Sequence, residues 1–442
     1  MKLKLKGRFE SIPMMAVLCI FAAGLVAVLP LRTYQLMRLI EPETGFYTGH
    51  SATIPTLYIL LAVCTVVLVV ISYLSGDVPV RLWKRKNIGL GTVSLLFAVS
   101  LVVDAISQTE NFLNILSERN ALVIQQNTSL FLYLIKTGGF ALIFEVLFAV
   151  LSCVFFLFFG YHYITGKLDY SQFKLLAVAP LCWIMARMIF RFSRTINFKN
   201  ISDLLLELFM LAAMLLFFLN FARICAHVDD RGAMWSLYGY GLPAALFGFA
   251  CSVPRLVMVV IGRSSQLAAQ SPFELCDLMA SLLILFVLIW FVCALDATNR
   301  YDKVVRNTAI ISEFNLDFKK NYDYKIYLIT TGNRTYTDQN PEQDIRYAKD
   351  IIRRVKATTE NSENKECIVQ IERYFQVLEK YTKTIQENMQ KEGKYDENRD
   401  LWENGVQLVT ANIQNKMLQL LYNENRQSAL IYSDMQHITR NM

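Results

Sequence analysis

Three arginines recur in an otherwise apolar stretch from Lys174 to Asn200, KLLAVAPLCWIMARMIFRFSRTINFKN. Arg187, Arg191 and Arg194 stand four and three residues apart, which puts their guanidinium groups on one face of a helix. A guanidinium presents five donors in a planar fork and grips a carboxylate or phosphate through two parallel hydrogen bonds. Inside a hydrocarbon layer the same group is costly unless it has a partner, a water-filled cavity or a route to the interface. Acids suited to partner it stand in other apolar stretches, at Asp104, Glu145, Glu207 and Asp277, together with a fourth arginine, Arg255.

Two chemistries are open to this set. In the first, Arg187 and Arg255 form the floor of a pocket, Glu145 and Glu207 are their partners, and free donors on Arg191 or Arg194 bind an anionic or amphipathic ligand. In the second, Arg187–Glu207 and Arg255–Glu145 are clamps that fix helix register, while Arg191 and Arg194 snorkel to the interface.

Either chemistry needs helices that hold the charges at one depth. Hydrophobic residues make up 54% of the 442 residues and the mean hydropathy is +0.33, with the excess concentrated before residue 298. At roughly 20 apolar residues per span, about eight spans fit, near 13–31, 55–75, 88–107, 138–161, 174–193, 202–223, 238–262 and 274–297. Lys2, Lys4, Lys6 and Arg8, then Arg81, Lys84, Arg85 and Lys86, mark cytosolic ends. The expectation is a multi-pass protein of the cell membrane, its partner the lipid bilayer, with both termini cytosolic and the first span retained. In that orientation Asp104, Glu145, Arg187, Arg191, Arg194, Asp203, Glu207, Arg255, Glu274 and Asp277 all fall in the outer half.

The first outer connection, RTYQLMRLIEPETGFYTGHSATIP, is aromatic enough for a short interfacial helix. Within it, YQLMRLIEPETGFY resembles a segment of uncharacterised multi-pass membrane proteins of Firmicutes. That resemblance implies a bacterial membrane context and no particular activity. The third connection carries Leu113, Leu116, Leu122 and Ile124 among polar residues, the pattern of an amphipathic element on the outer surface. Ala244, Gly248 and Ser252 stand four apart, which lets two helix backbones approach closely. Ser271, Pro272 and Glu274 read as a helix start, with Glu274 completing a capping box.

After Asp296 the chain turns polar. We read 1–297 as the transmembrane domain, 298–340 as a linker with a short hairpin around Tyr322–Thr331, and 341–442 as a cytosolic helical domain. Asn340-Pro341 opens the helical part, and Ile371, Tyr374, Leu378, Tyr381 and Ile385 continue at three/four spacing. A coiled coil or helical hairpin follows, able to dock a cytosolic protein or to form a homodimer through the C-terminal helices. The last helix, SALIYSDMQHITRNM, is similar to the dimerisation helix of a sensor histidine kinase; Ser433 stands where the phosphoacceptor would be, Asp434 matches, and His437 is off register. No kinase activity is implied.

Several classes find no support. Nine scattered cysteines without CxxC and four dispersed histidines suggest neither a disulfide framework nor a metal site. There is no nucleotide, dinucleotide, metalloprotease or nucleophile-elbow motif, so no cofactor and no catalytic residue is assigned, although Glu145 or Glu207 as an intramembrane base stays open. The net charge of +7 sits mainly at span ends and is not a nucleic-acid footprint. Acids in the arginine layer and the lack of a pore motif weigh against a voltage sensor. Three readings remain: a receptor-like or regulatory protein with an outward charged pocket, a secondary transporter of a small anionic or amphipathic solute, and a structural scaffold with charge-clamped helices.

Overall fold

The structure, a computed structural model, describes residues 14–42, 46–49, 51–74, 87–123, 130–166, 170–193, 201–226, 233–267, 273–332, 340–389 and 395–441. These are helical almost throughout, with no strand among them beyond an isolated bridge between Ile40 and Tyr47. The first nine helices are α1 (Met14–Arg38), α2 (Thr53–Leu74), α3 (Ile88–Val123), α4 (Leu130–Thr137), α5 (Gly139–Thr165), α6 (Ala179–Ser193), α7 (Ile201–Cys225), α8 (Ala233–Val260) and α9 (Leu275–Thr330). Then come α10 (Pro341–Thr358), α11 (Ser362–Met389), α12 (Tyr395–Asp400) and α13 (Gln407–Asn441). The chain divides into two compact units, Met1–Cys293 with Ile438–Met442, and Ala294–His437.

Among the described residues of the first unit, eight helical segments are long and apolar enough to cross a bilayer: Ala16–Arg38, Thr53–Leu74, Ile88–Ser117, Gly139–Thr165, Lys174–Phe192, Asp203–Cys225, Trp235–Val260 and Leu275–Cys293. Val26, Ile59, Val66, Val99, Leu147 and Phe209 on these segments are exposed. A helix satisfies its own backbone, so such an apolar outer face is what hydrocarbon tolerates and water does not. The chain is an integral, multi-pass, all-α membrane protein with a helical C-terminal region.

Small residues set the closest crossings. A Cβ on Gly160 of α5 would lie 2.9 Å from the Gly91 carbonyl oxygen of α3, and one on Gly91 would lie 2.9 Å from the Gly160 carbonyl. From that crossing, Asp104 and Glu145 each lie roughly four turns away, and the antiparallel helices bring both acids to one level. On α8, a Cβ at Gly248 would collide with the Ser281 hydroxyl of α9, so the expected close approach at Ala244, Gly248 and Ser252 is made, and all three are buried.

The connections depart from expectation. α1 continues through Arg32 to Arg38, and the chain then turns back through the Ile40–Tyr47 bridge, in place of a separate interfacial helix. α3 runs unbroken to Val123 in place of a distinct amphipathic element; Phe112 and Ile115 pack on Ala141, Leu142 and Phe190, and Ile124 lies outside the described residues. The Tyr322–Thr331 hairpin is absent: these residues belong to α9 up to Thr330, and the turn comes at Gly332, whose φ of 75° suits glycine. Much of the expected linker is thus helix, and the units divide after Cys293.

The second unit is built on one core. Ile311, Phe314, Phe318, Tyr322, Ile326 and Ile329 of α9 meet Ile345 and Ile352 of α10, Ile368, Ile371, Phe375 and Leu378 of α11, and Val409, Ile413, Met417 and Leu420 of α13. Asn340 adopts φ 38° ahead of Pro341, a left-handed residue before a proline that suits the first helical turn. A π-helical stretch at Leu401–Val406 shifts the register between Trp402 and Val406. Buried polar groups are matched in part: the Tyr322 and Thr382 hydroxyls lie 2.5 Å apart, and Asn364 donates to Glu424 at 2.9 Å.

Candidate functional site

The charged layer forms where α1, α6 and α8 end and α7 and α9 begin, at one end of the first unit. It is a buried chain of ion pairs. Arg32 Nη2 of α1 lies 2.9 Å from Asp203 Oδ1 of α7, whose Oδ2 takes Arg255 Nη2 of α8 at 2.6 Å. Arg255 also reaches Glu207 Oε1 at 2.8 Å, and Glu207 Oε2 lies 3.7 Å from Arg191 Nε of α6. Arg191 Nη2 donates to Glu274 Oε1 at 2.6 Å, and Glu274 pairs in turn with Arg187. Arg187 forks onto Asp277 of α9, with Nη1 2.5 Å from Oδ1 and Nη2 3.2 Å from Oδ2. Its Nε stands 4.0 Å from Glu145 Oε1 of α5.

α3 joins through neutral groups. Trp183 Nε1 donates to Asp104 Oδ2 at 3.1 Å, Gln108 donates to Oδ1 at 3.3 Å, and the Trp183 ring lies 5.6 Å from Arg187 Cζ. Arg32 also donates to Tyr47 Oη at 3.1 Å, which ties the Ile40–Tyr47 turn to the layer.

Burial makes these pairs consequential. Arg32, Glu145, Arg187, Asp203, Glu207, Arg255 and Asp277 are all buried, so water screens them little. In such surroundings an ion pair holds only if the geometry is good and the remaining polar atoms are served. The Arg187–Asp277 fork and the two-sided Asp203 bridge have the geometry, although Arg187 Nε is left without a hydrogen-bond partner.

Beneath the layer, away from this end, the interior is aromatic. Phe97 meets Phe156 with ring centroids 4.8 Å apart, Phe156 meets Phe221 at 6.5 Å, Phe159 meets Tyr163 at 4.8 Å, and Tyr163 meets Trp290 at 5.5 Å. Phe155, Phe217 and Phe218 fill the gaps, and all of these side chains are buried. Rings at these separations, several of them edge to face, form one contiguous buried cluster.

The structure thus brings together Asp104, Glu145, Arg187, Arg191, Glu207, Arg255 and Asp277, while Arg194 lies outside the described residues. The expected partners are exchanged: Arg187 takes Asp277 and Glu274 rather than Glu207, and Arg255 takes Asp203 and Glu207 rather than Glu145. Helix rotation and neighbour order decide this, and hydropathy carries neither. Glu274 serves two arginines; Ser271 and Pro272, the other members of the expected helix start, lie outside the described residues. Arg32 is missed by sequence reasoning, because hydropathy assigns it to a loop. A first helix drawn to Arg38 places it at the depth of Asp203.

Arg191 donates to Glu274 through Nη2 and its Nε stands 3.7 Å from Glu207, so part of the guanidinium expected for an anion is already held by acids. Ligand atoms of Asp104, Glu274 and Cys276 lie within 4.8 Å of one another, close enough for a metal ion. Arg187 donates to Cys276 Sγ and pairs with Glu274, so a fixed guanidinium cation already stands among them. In the last helix Ser433 is exposed, and the side chains of Asp434 and His437 are outside the described set. Compared with protein-family models, with curated proteins and with solved structures, the chain matches none.

Proposed function

We propose that this chain is a receptor-like or regulatory membrane protein whose charged layer is the responsive element and whose helical unit carries the output. The observation that supports it is the aromatic block beneath the ion pairs. A transporter needs a polar route past its site, with helices broken at the midplane. Here α8 continues through both Pro243 and Pro254, and buried rings lie where the route would run. α9 starts in the charged layer and ends in the core of the second unit, so one helix belongs to both. A plasma-membrane location with cytosolic termini fits the basic connections, and the Firmicutes-like outer segment fits a bacterial one.

A second reading, the scaffold, is favoured by how completely the described arginines of the layer are paired. For the output we propose self-association. Leu408, Ala411, Asn415, Leu418 and Tyr422 of α13 follow a three/four repeat; Leu408, Leu418 and Tyr422 are 60%, 47% and 68% exposed. An asparagine in such a seam pairs with its own copy and fixes register.

The test uses the full chain in proteoliposomes. The regulatory reading expects no current with small organic anions, and an Arg191→Gln change that alters amide exchange across α10, α11 and α13. Solute flux sinks it in favour of transport. Altered stability with unchanged exchange in those helices sinks it in favour of the scaffold.

A further inference from the structure

The layer is not electrically balanced among the described residues. Arg32 and Arg255 are matched by Asp203 and Glu207. On the other side, Arg187 and Arg191 face four carboxyls, those of Asp104, Glu145, Glu274 and Asp277. Glu274 and Asp277 are the close partners, which leaves Asp104 and Glu145 in surplus.

The two surplus acids are treated differently. Asp104 receives donated hydrogens from Trp183 and Gln108. Glu145 is fully buried, and neither of its oxygens has a hydrogen-bond donor. The Arg187 Nε, 4.0 Å away, is too far to donate and is itself unsatisfied. A carboxylate in that state has lost its water and gained little in return. A carboxylic acid does not carry that penalty, because the neutral group is both donor and acceptor and removes one surplus charge.

The surroundings provide access as well as need. The charged and titratable groups around Glu145 are Asp104 from α3, Arg187 and Arg191 from α6, Glu274 just ahead of α9, and Cys276 and Asp277 from α9. From Asp104 a polar trail leads outward along α3. Gln108 donates to Asp104, and Asn111, which is exposed, donates to Gln108 at 3.0 Å.

We propose that Glu145 is a reversible proton-binding site inside the bundle, reached from the charged end along the Asn111–Gln108–Asp104 edge of α3. One proton from water adds to a Glu145 carboxylate oxygen and returns the same way. The bound proton frees Arg187 from a third acid, so its hold on Asp277 and Glu274 varies with the occupancy of Glu145. This inference goes beyond the regulatory reading and stands or falls apart from it, since it requires no partner of the helical unit.

The test is infrared difference spectroscopy on the full chain in lipid nanodiscs, with pH steps. The expected result is a protonated-carboxyl C=O band that titrates, is lost in Glu145→Gln, is displaced in Glu145→Asp and survives in Asp104→Asn. The titration is repeated with choline replacing sodium and potassium. A midpoint that follows those ions assigns the site to a metal cation and overturns the proposal. So does a band that persists in Glu145→Gln, or no titrating band in the parent protein. If Glu145→Gln does not fold, the displacement in Glu145→Asp decides alone: a band that stays in place is another carboxyl and refutes the assignment.

Discussion

Replacing Asp203 with Asn is the sharpest test of whether the ion pairs hold the bundle. Asp203 is buried between two arginines, 2.9 Å from Arg32 and 2.6 Å from Arg255. Asparagine keeps the shape and one acceptor oxygen but deletes the charge and turns an amide NH2 toward a guanidinium. Arg255 retains Glu207 at 2.8 Å, whereas Arg32 keeps the neutral acceptors Tyr47 and Gln35 at 3.1 and 3.4 Å. The penalty therefore falls on Arg32 as a buried cation stripped of its anion. Removing one member of such a pair costs about 3–5 kcal/mol. At about 1.4 kcal/mol per decade, the middle of that range lowers the folded population ratio roughly a thousandfold. The double variant Arg32→Met, Asp203→Leu removes the penalty with the pair, and its stability should return to within about 1–2 kcal/mol of the parent. Reversible SDS-driven unfolding in bicelles measures all three proteins. A single variant within about 0.5 kcal/mol of the parent, in the range of an ordinary surface change, refutes the reasoning, and so does a double variant no better than the single.

Other outcomes follow from the same structure. Gly160→Ala places a methyl group against the Gly91 carbonyl, and the expected loss is about 1–3 kcal/mol with α3 and α5 pushed apart, measured by the same unfolding assay. Trp183→Phe removes a donor from buried Asp104, for an expected cost of about 1–3 kcal/mol; an equally stable variant removes Trp183 from the network. In the helical unit, burial pushes the Glu424 carboxyl above its ordinary range, against the downward pull of the Asn364 bond. The folded chain then holds a proton that the unfolded chain has lost, so stability is full below about pH 4.3 and falls as pH rises through the folded value. Glu424→Gln should flatten that fall in urea unfolding of this unit within the full chain. Cysteine at Asn415 should cross-link copies of the full chain in membranes, whereas cysteine at exposed Arg354 of α10 should not.

The spans were legible because a bilayer imposes length and composition directly on the sequence. The shared depth of Arg187, Arg255, Glu145 and Glu207 followed from counting turns along them. Which acid meets which arginine was not legible, because partners such as Arg187 and Asp277 come from helices far apart in sequence. The misread hairpin has a local cause. Tyr322, Tyr324 and Ile326 alternate like a strand, yet Phe318, Tyr322, Ile326 and Ile329 are also one helical face. Tyr324 and Tyr327 lie exposed on the other side, and the aromatic count disguised the longer period. Asn340-Pro341, a signal tied to backbone geometry, marks the start of α10 in sequence and structure alike.

Among the described residues, the salt-bridged girdle gathers at one end of the membrane bundle and makes it mechanically lopsided. Heating lowers the cost of stripping water from ions while apolar cohesion levels off. A warmed molecule should therefore fray first at the helix ends far from Asp203 and Arg187, with the tied end the last to let go.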